Sequence, residues 1–153
     1  MKKIIFILCI CSIVACNKKS DPKPAIAMSN YYMTANINDT AWTATTLSTD
    51  TSSGYNSITG ETYKSNPWKG IGIDIPYNAT IGTHAMTFNG VYNAGYVFNG
   101  GVGYHDSYLI SGSVTITSIS TTEAAGTFYF TCKNGAPVPD TVRVTNGKFY
   151  MHL

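Results

Sequence analysis

Residues 126–132 read GTFYFTC, and this stretch decides the fold class. Its two phenylalanines, Phe128 and Phe130, alternate with the more polar Thr127 and Tyr129. Successive side chains of a β-strand point to opposite faces of the sheet, whereas an apolar helix face needs a period of about 3.6 residues. The stretch therefore predicts a strand with Phe128 and Phe130 facing a core and with Thr127 and Tyr129 on the opposite side.

The same period of two recurs along the 153-residue chain, in residues 33–37, 71–75 and 149–153. We expect Phe149 and Met151 to face inward with the two phenylalanines above. No long stretch of the sequence follows the helical period. The pattern predicts an all-β domain of about eight to ten short antiparallel strands, built as a β-sandwich or a small barrel.

Asparagine pairs mark the predicted turns, because Asn and Gly accept the positive φ that tight hairpins require. Asn38-Asp39 predicts a turn between strands at residues 31–37 and 41–46. Further pairs stand at Asn89-Gly90, Asn99-Gly100 and Asn134-Gly135.

Asn146-Gly147 is the clearest hairpin signal in the sequence, since a strand-like stretch lies on each side of it. It predicts a two-residue turn joining residues 141–145 to residues 148–153. The polar stretch at residues 48–57 predicts a loop or a ragged sheet edge.

The first sixteen residues form a unit of a different kind. Two lysines are followed by a short apolar run and then by Ala15-Cys16. The run is too short to span a bilayer and lies where a cleaved export signal belongs. Residues 13–16 resemble the lipobox of bacterial lipoproteins, in which the cysteine becomes a diacylated N-terminus. An ordinary signal peptide with an incidental Cys16 is the alternative.

This interpretation divides the chain into three parts. Residues 1–15 are predicted to be a lipoprotein signal peptide, residues 16–27 a lipidated cysteine with a flexible tether, and residues 28–153 a single β domain. The resemblance implies a lipid-anchored protein of the cell envelope, at the outer membrane, with membrane lipid as a partner through acylated Cys16.

The net charge and the cysteine content bear on two further properties, nucleic-acid binding and disulfide formation. After Ala27 the chain holds five basic and seven acidic residues, a balance of −2, which argues against nucleic acid as a partner. If the signal is removed and Cys16 is acylated, Cys132 is the one remaining thiol, so no intramolecular disulfide is expected. We expect Cys132 to be a core residue.

Several strand and turn signatures stand out in the sequence: GSVTIT at residues 112–117, GTFYF at 126–130 and VTNGKF at 144–149, with MTANIND at 33–39 followed by Trp42. Together they resemble a family of small bacterial cell-envelope lipoproteins of unknown function. The resemblance implies a β domain. It implies no catalytic residue and no cofactor.

The residues by themselves predict no catalytic, metal-binding or cofactor-binding site. The chain lacks the Gly-x-Ser-x-Gly elbow of serine hydrolases, and its three histidines have no ligand spacing. His84 alternates in step with Met86, which predicts a histidine at the rim of an apolar face. His105 precedes Asp106, a pair that orients an imidazole in some enzymes but is more often solvated. We therefore expect a protein that is not an enzyme.

Aromatic and amide residues are the one compositional excess, with eleven tyrosines and two tryptophans. Such rings stack on the apolar faces of sugars, but they also suit half-buried strand positions in any β-protein. The weak candidates for a ligand site are Trp68, Tyr92, Tyr96, Tyr104, His105 and Tyr108.

Three functional hypotheses follow. The first is a non-enzymatic β domain that gives the envelope a binding or structural surface, with an envelope glycan or protein as partner. The second is a glycan-binding module that uses Tyr, Trp and Asn side chains. The third is a small hydrolase, which requires His84 or His105 to meet a carboxylate in a cleft.

Overall fold

A computed structural model describes residues 30–51, 54–62, 68–87, 90–98, 102–104, 108–133 and 140–153, the side chains of 102–104 excepted. The predicted signal and tether, residues 1–27, lie outside this part of the chain. Within the described residues no helix has the length and apolar character to cross a membrane.

The described chain is organised almost entirely as β-strands. The eleven strands are β1 (Tyr32–Ile37), β2 (Thr40–Thr43), β3 (Thr46–Asp50), β4 (Tyr55–Glu61), β5 (Lys69–Pro76), β6 (Gly82–Met86), β7 (Asn93–Phe98), β8 (Val102–Tyr104), β9 (Leu109–Ile119), β10 (Glu123–Lys133) and β11 (Thr141–His152).

The strands form two antiparallel sheets that share one core. The six-stranded sheet has the order β2-β1-β11-β10-β9-β6, and the five-stranded sheet has the order β3-β4-β5-β7-β8. Buried side chains from both sheets make up a single apolar cluster. Neither sheet closes on itself in the described residues, so the all-β prediction is confirmed as a sandwich rather than a barrel.

The predicted inward and outward faces are confirmed. Phe128, Phe130, Phe149 and Met151 are each at most 3% exposed, whereas Tyr129 between the first two is 56% exposed. Alternation along β10 therefore places one set of side chains in the core and the other on the outer surface of the six-stranded sheet.

The turn predicted at Asn38-Asp39 is also confirmed. It joins β1 to β2, and both residues have positive φ, at 46° and 64°. Two consecutive left-handed residues define a type I′ turn, whose twist matches that of an antiparallel hairpin.

The hairpin predicted at Asn146-Gly147 is wrong. These residues lie inside β11, which runs without a break from Thr141 to His152. Only Asn146 has a positive φ, at 52°, and the register of β11 shifts there against both β1 and β10. The feature is a β-bulge, in which two residues of one strand face a single residue of its neighbour.

The loop predicted over residues 48–57 is wrong for most of its length. Its first three residues belong to β3 and its last three to β4, and the two strands pair with each other. The alternative prediction, a sheet edge, is confirmed for β3, which is an edge strand of the five-stranded sheet. Its polar composition is that of a strand with only one neighbour.

Candidate functional site

The outer surface of the six-stranded sheet carries a row of polar residues that crosses all six strands. The strand registers place six outward residues side by side, one from each strand. In spatial order the row is Thr43, Thr34, Lys148, Thr127, Thr115 and Thr83. Threonine is favoured at such half-exposed strand positions, and here five of the six are threonines.

The β-bulge opens a depression of about 530 Å³ beside this row. Because β11 bends at Asn146, the side chains of Thr145 and Asn146 border the groove between β10 and β11. We call this depression the bulge site. Its polar lining consists of Ser113, Thr115, Thr127, Tyr129, Thr145, Asn146 and Lys148.

Some of these polar groups are already used by the protein. The hydroxyls of Thr115 and Thr83 lie 2.9 Å apart, and Ser113 donates to the carbonyl oxygen of His84 at 3.1 Å. Within the described chain, by contrast, the side chains of Thr127 and Asn146 bond to no protein group. The site therefore offers hydrogen-bonding groups that remain available to a ligand.

Tyr129 gives the bulge site an aromatic border. It lies on β10 opposite the two bulged residues, since Phe128 pairs with Gly147 and Phe130 with Val144. Its ring is more than half exposed. An exposed tyrosine combines an apolar ring face with a hydroxyl, the combination that is common in recognition surfaces.

A second polar cluster, here named the tyrosine–glutamate cluster, lies on the six-stranded sheet close to the start of β1 and the end of β11. The Tyr31 hydroxyl donates to Glu123 Oε1 at 2.8 Å, and the Tyr31 ring packs edge-on to Tyr150 at 5.1 Å and to His152 at 5.9 Å between ring centroids. Hydrogen bonding to Glu123 raises the pKa of both Tyr31 and Tyr150, because it stabilises the protonated phenol.

A cleft of about 440 Å³ adjoins this cluster between the ends of β3 and β11. Tyr31 and His152 line it together with Leu47, and the Thr49 hydroxyl donates to the carbonyl oxygen of His152 at 2.6 Å. This hydrogen bond joins β3, at the edge of the five-stranded sheet, to β11 of the six-stranded sheet, and so helps to hold the two sheets together.

The ligand candidates from the sequence are not gathered on one described surface. Tyr92 and Tyr96 are 9% and 3% exposed and belong to the core, and Trp68 and Tyr108 are half-buried. The side chains of Tyr104 and His105 lie outside the described residues.

His84 occupies the rim of the core, as its alternation predicts. Its ring stacks on Tyr92 with centroids 4.3 Å apart, and Nε2 lies 2.8 Å from the carbonyl oxygen of Thr80. Neither contact supplies the carboxylate that a hydrolase requires. In the described part of the chain no group of three or more His, Cys, Asp or Glu side chains is arranged to hold a metal.

Cys132 is a core residue, as expected. It is fully buried, and loss of solvation raises the pKa of its thiol to about 12. A thiol with so high a pKa is almost entirely protonated at neutral pH and is a poor nucleophile.

Neither the bulge site nor the tyrosine–glutamate cluster is among the sites that the sequence predicts. In the sequence, residues 112–117, 126–130 and 144–149 of the bulge region predict strands and nothing more. The one available signal is that Thr127, Tyr129 and Lys148 stand at outward positions of two predicted strands. Their convergence depends on strand register, which a single sequence does not display.

The protein is therefore a two-sheet β-sandwich with a polar depression on the outer face of one sheet. The family described as Domain of unknown function (DUF6252) matches residues 29–151. The chain belongs to this family, which agrees with the prediction that it is a member of a family of unknown function. No curated protein and no solved structure matches the chain.

Proposed function

We propose that the protein is a lipoprotein of the bacterial cell envelope, anchored in the outer membrane through acylated Cys16, whose β-sandwich is a non-enzymatic binding domain. The observation that carries the proposal is the bulge site. Unpartnered polar groups and an exposed tyrosine converge there in a depression whose size is typical of small-ligand sites.

The anchor is supported by the sequence around Cys16. A basic start, an apolar run and a small residue precede the cysteine. Two acyl chains suffice for stable membrane attachment, because each buried methylene contributes about 0.8 kcal/mol. Residues 17–27 then allow the domain a reach of roughly 35 Å from the bilayer, at about 3.3 Å per extended residue.

Replacing Cys16 tests the anchor. We expect Cys16→Ala to abolish incorporation of a palmitate analogue and to shift the protein from the membrane pellet to the soluble fraction, or to leave it uncleaved. Cys132→Ala is the matched control and should retain labelling, because it keeps Cys16 and removes only a buried thiol. Labelling of the Cys16→Ala protein would contradict the lipoprotein assignment.

The non-enzymatic character is supported by the chemistry of the bulge site. Its described lining offers hydroxyl, amide and ammonium groups but neither a histidine nor a carboxylate. General acid–base catalysis most often uses those two groups. The arrangement suits the recognition of a ligand better than its conversion.

Accessibility of the bulge site in the envelope tests the binding role. Buried Cys132 gives little background with a maleimide reagent, so a single introduced cysteine reports on its own surroundings. We place one cysteine in the bulge site, as Thr127→Cys, and a matched one on the exposed edge strand of the other sheet, as Thr46→Cys.

In isolated envelopes we expect Thr127→Cys to be labelled more slowly than in the detergent-purified protein, because a bound partner covers the site. Thr46→Cys should be labelled at the same rate in both preparations. Equal rates for Thr127→Cys in both preparations would overturn the proposal that this face is the binding surface.

A further inference from the structure

We propose that the ligand of the bulge site is an acidic saccharide, held by stacking on Tyr129 and by a charge contact to Lys148. This inference rests on the proposed binding function and names the chemistry of its ligand.

Tyr129 supplies the platform for a sugar ring. It is 56% exposed and borders the depression from β10, whose alternation turns the neighbouring Phe128 and Phe130 into the core. The carbon-bound hydrogens of a pyranose form an apolar face that packs against an aromatic ring. A small inorganic anion makes no use of such a ring.

The hydrogen-bonding groups of the site match those of a sugar. The Thr127 and Thr145 hydroxyls and the Asn146 amide both donate and accept hydrogen bonds, as the hydroxyls of a saccharide do. Within the described residues none of the three side chains bonds to the protein itself. Binding therefore replaces water at these groups without breaking internal contacts.

The charge distribution favours an anionic ligand. The strands of the six-stranded sheet carry three basic residues, Lys133, Arg143 and Lys148, and one acidic residue, Glu123, which accepts a hydrogen bond from Tyr31. All four lie on β10 and β11.

The strands of the five-stranded sheet, in contrast, carry more acidic than basic residues. They contain three acidic residues, Asp50, Glu61 and Asp74, and one basic residue, Lys69. The domain as a whole is slightly acidic, yet the strands of the sheet that contains the bulge site carry more basic than acidic residues, with Asp39 and Asp140 adjoining them next to β1 and β11. A carboxylate on the sugar is attracted to this face and pairs with Lys148, the only charged residue of the described lining.

The proposal is tested by calorimetric titration of the full chain, purified in detergent, with two probes. One is trigalacturonate, and the other is its methyl ester, which keeps the sugar rings but removes the charge. We expect the acid to bind and the ester to bind about tenfold more weakly, since loss of one good charge contact has an effect of that order.

Two variants separate the stacking contact from the charge contact. Tyr129→Ala should weaken the binding of both probes about tenfold, because both lose the ring platform. Lys148→Met should weaken the acid alone and bring its affinity down to that of the ester. Tyr77→Ala is the matched control, since Tyr77 is 53% exposed but lies outside the bulge site, and it should change neither affinity.

Absence of trigalacturonate binding at millimolar concentration would overturn the inference, as would binding that survives Tyr129→Ala unchanged. An ester that binds as tightly as the acid would overturn the acidic specificity. Slow labelling of Thr127→Cys in envelopes together with failure of both probes would refute the saccharide and leave the binding function standing. A thermal melt of each variant confirms that the exposed substitutions leave the fold intact.

Discussion

At the scale of single residues, Gly147 shows how closely the core is packed beneath the bulge site. A Cβ placed on Gly147 would lie 2.5 Å from two ring carbons of Phe128, well inside van der Waals contact. Phe128 in turn packs against Phe130 and Phe149, with ring centroids 6.3 and 6.4 Å apart. The ring therefore has little room to move away from an added methyl group.

Gly147→Ala should consequently destabilise the domain by about 1–3 kcal/mol, the usual cost of overpacking a core. Gly72→Ala is the matched control, because the nearest atom to its added Cβ is Thr59 Oγ1 at 3.7 Å, an ordinary contact. We expect Gly72→Ala to be neutral or slightly stabilising. The midpoints of urea denaturation measure the difference in stability between the two variants. Equal midpoints would show that the Phe128 ring moves aside at little cost.

At the scale of elements, the bulge in β11 depends on one backbone conformation. Asn146 has a φ of 52°, in the left-handed region that asparagine and glycine tolerate and β-branched residues avoid. The bulge allows β11 to stay paired with β1 and β10 on both sides of the extra residue.

We therefore expect Asn146→Gly to change the free energy of unfolding only slightly and Asn146→Val to lower it by roughly 1–3 kcal/mol. Chemical denaturation of the two variants gives the comparison. If both variants were equally stable, the left-handed conformation would not be a requirement of β11.

The tyrosine–glutamate cluster connects the start of β1 to β10 through a side-chain hydrogen bond. Tyr31 lies directly before β1 and Glu123 begins β10, so their hydrogen bond spans β11 and its Tyr150. The bond holds the beginning of the described chain to the middle of the six-stranded sheet.

This cluster predicts a loss of stability at alkaline pH. Because the pKa values of Tyr31 and Tyr150 are raised in the folded state above the ordinary 10.0, their stabilising effect is complete below pH 10.0 and is lost as the pH rises through the higher folded values. The melting temperature should fall more steeply above pH 10.0 in the wild type than in Glu123→Gln.

Glu61→Gln, a matched change in β4 of the other sheet, should keep the wild-type pH profile. A Glu123→Gln protein with the same alkaline profile as the wild type would show that Glu123 does not couple to the two phenols. Burial also raises the pKa values of Tyr92 and Cys132, but both residues are present in all three proteins, so their effect cancels from the comparison.

At the scale of the whole molecule, a single core holds the two sheets together. It contains aliphatic and aromatic side chains from both sheets, and the domain has roughly the size at which apolar burial alone gives a stable fold. Cys132 is the one free cysteine in the described residues.

The melting temperature of the chain without residues 1–16 should accordingly be unchanged by a chelator or by a reductant. Differential scanning calorimetry with each additive measures this directly. A substantial fall in the melting temperature on addition of chelator would contradict this prediction. It would indicate that the domain binds a metal through His84 or His105.

The fold class and the buried faces of the strands follow from the amino-acid sequence alone. The alternation in residues 126–132 and 149–153 identified strands and their buried sides, because the period of two is a local property of an extended backbone. The Asn38-Asp39 turn was readable for the same reason, since its two positive φ values depend on its own residues.

The conformation at Asn146-Gly147 and the set of outward residues that lie together become visible only in the three-dimensional structure. The same positive φ serves a hairpin turn or a bulge, and the choice depends on the pairing of β11 with β1 and β10, which are distant in sequence. Strand order and register brought Thr127, Tyr129 and Lys148 into one site. Local alternation shows which side of a strand is buried but not which strands pair, because pairing is fixed by how distant strands together bury the shared core.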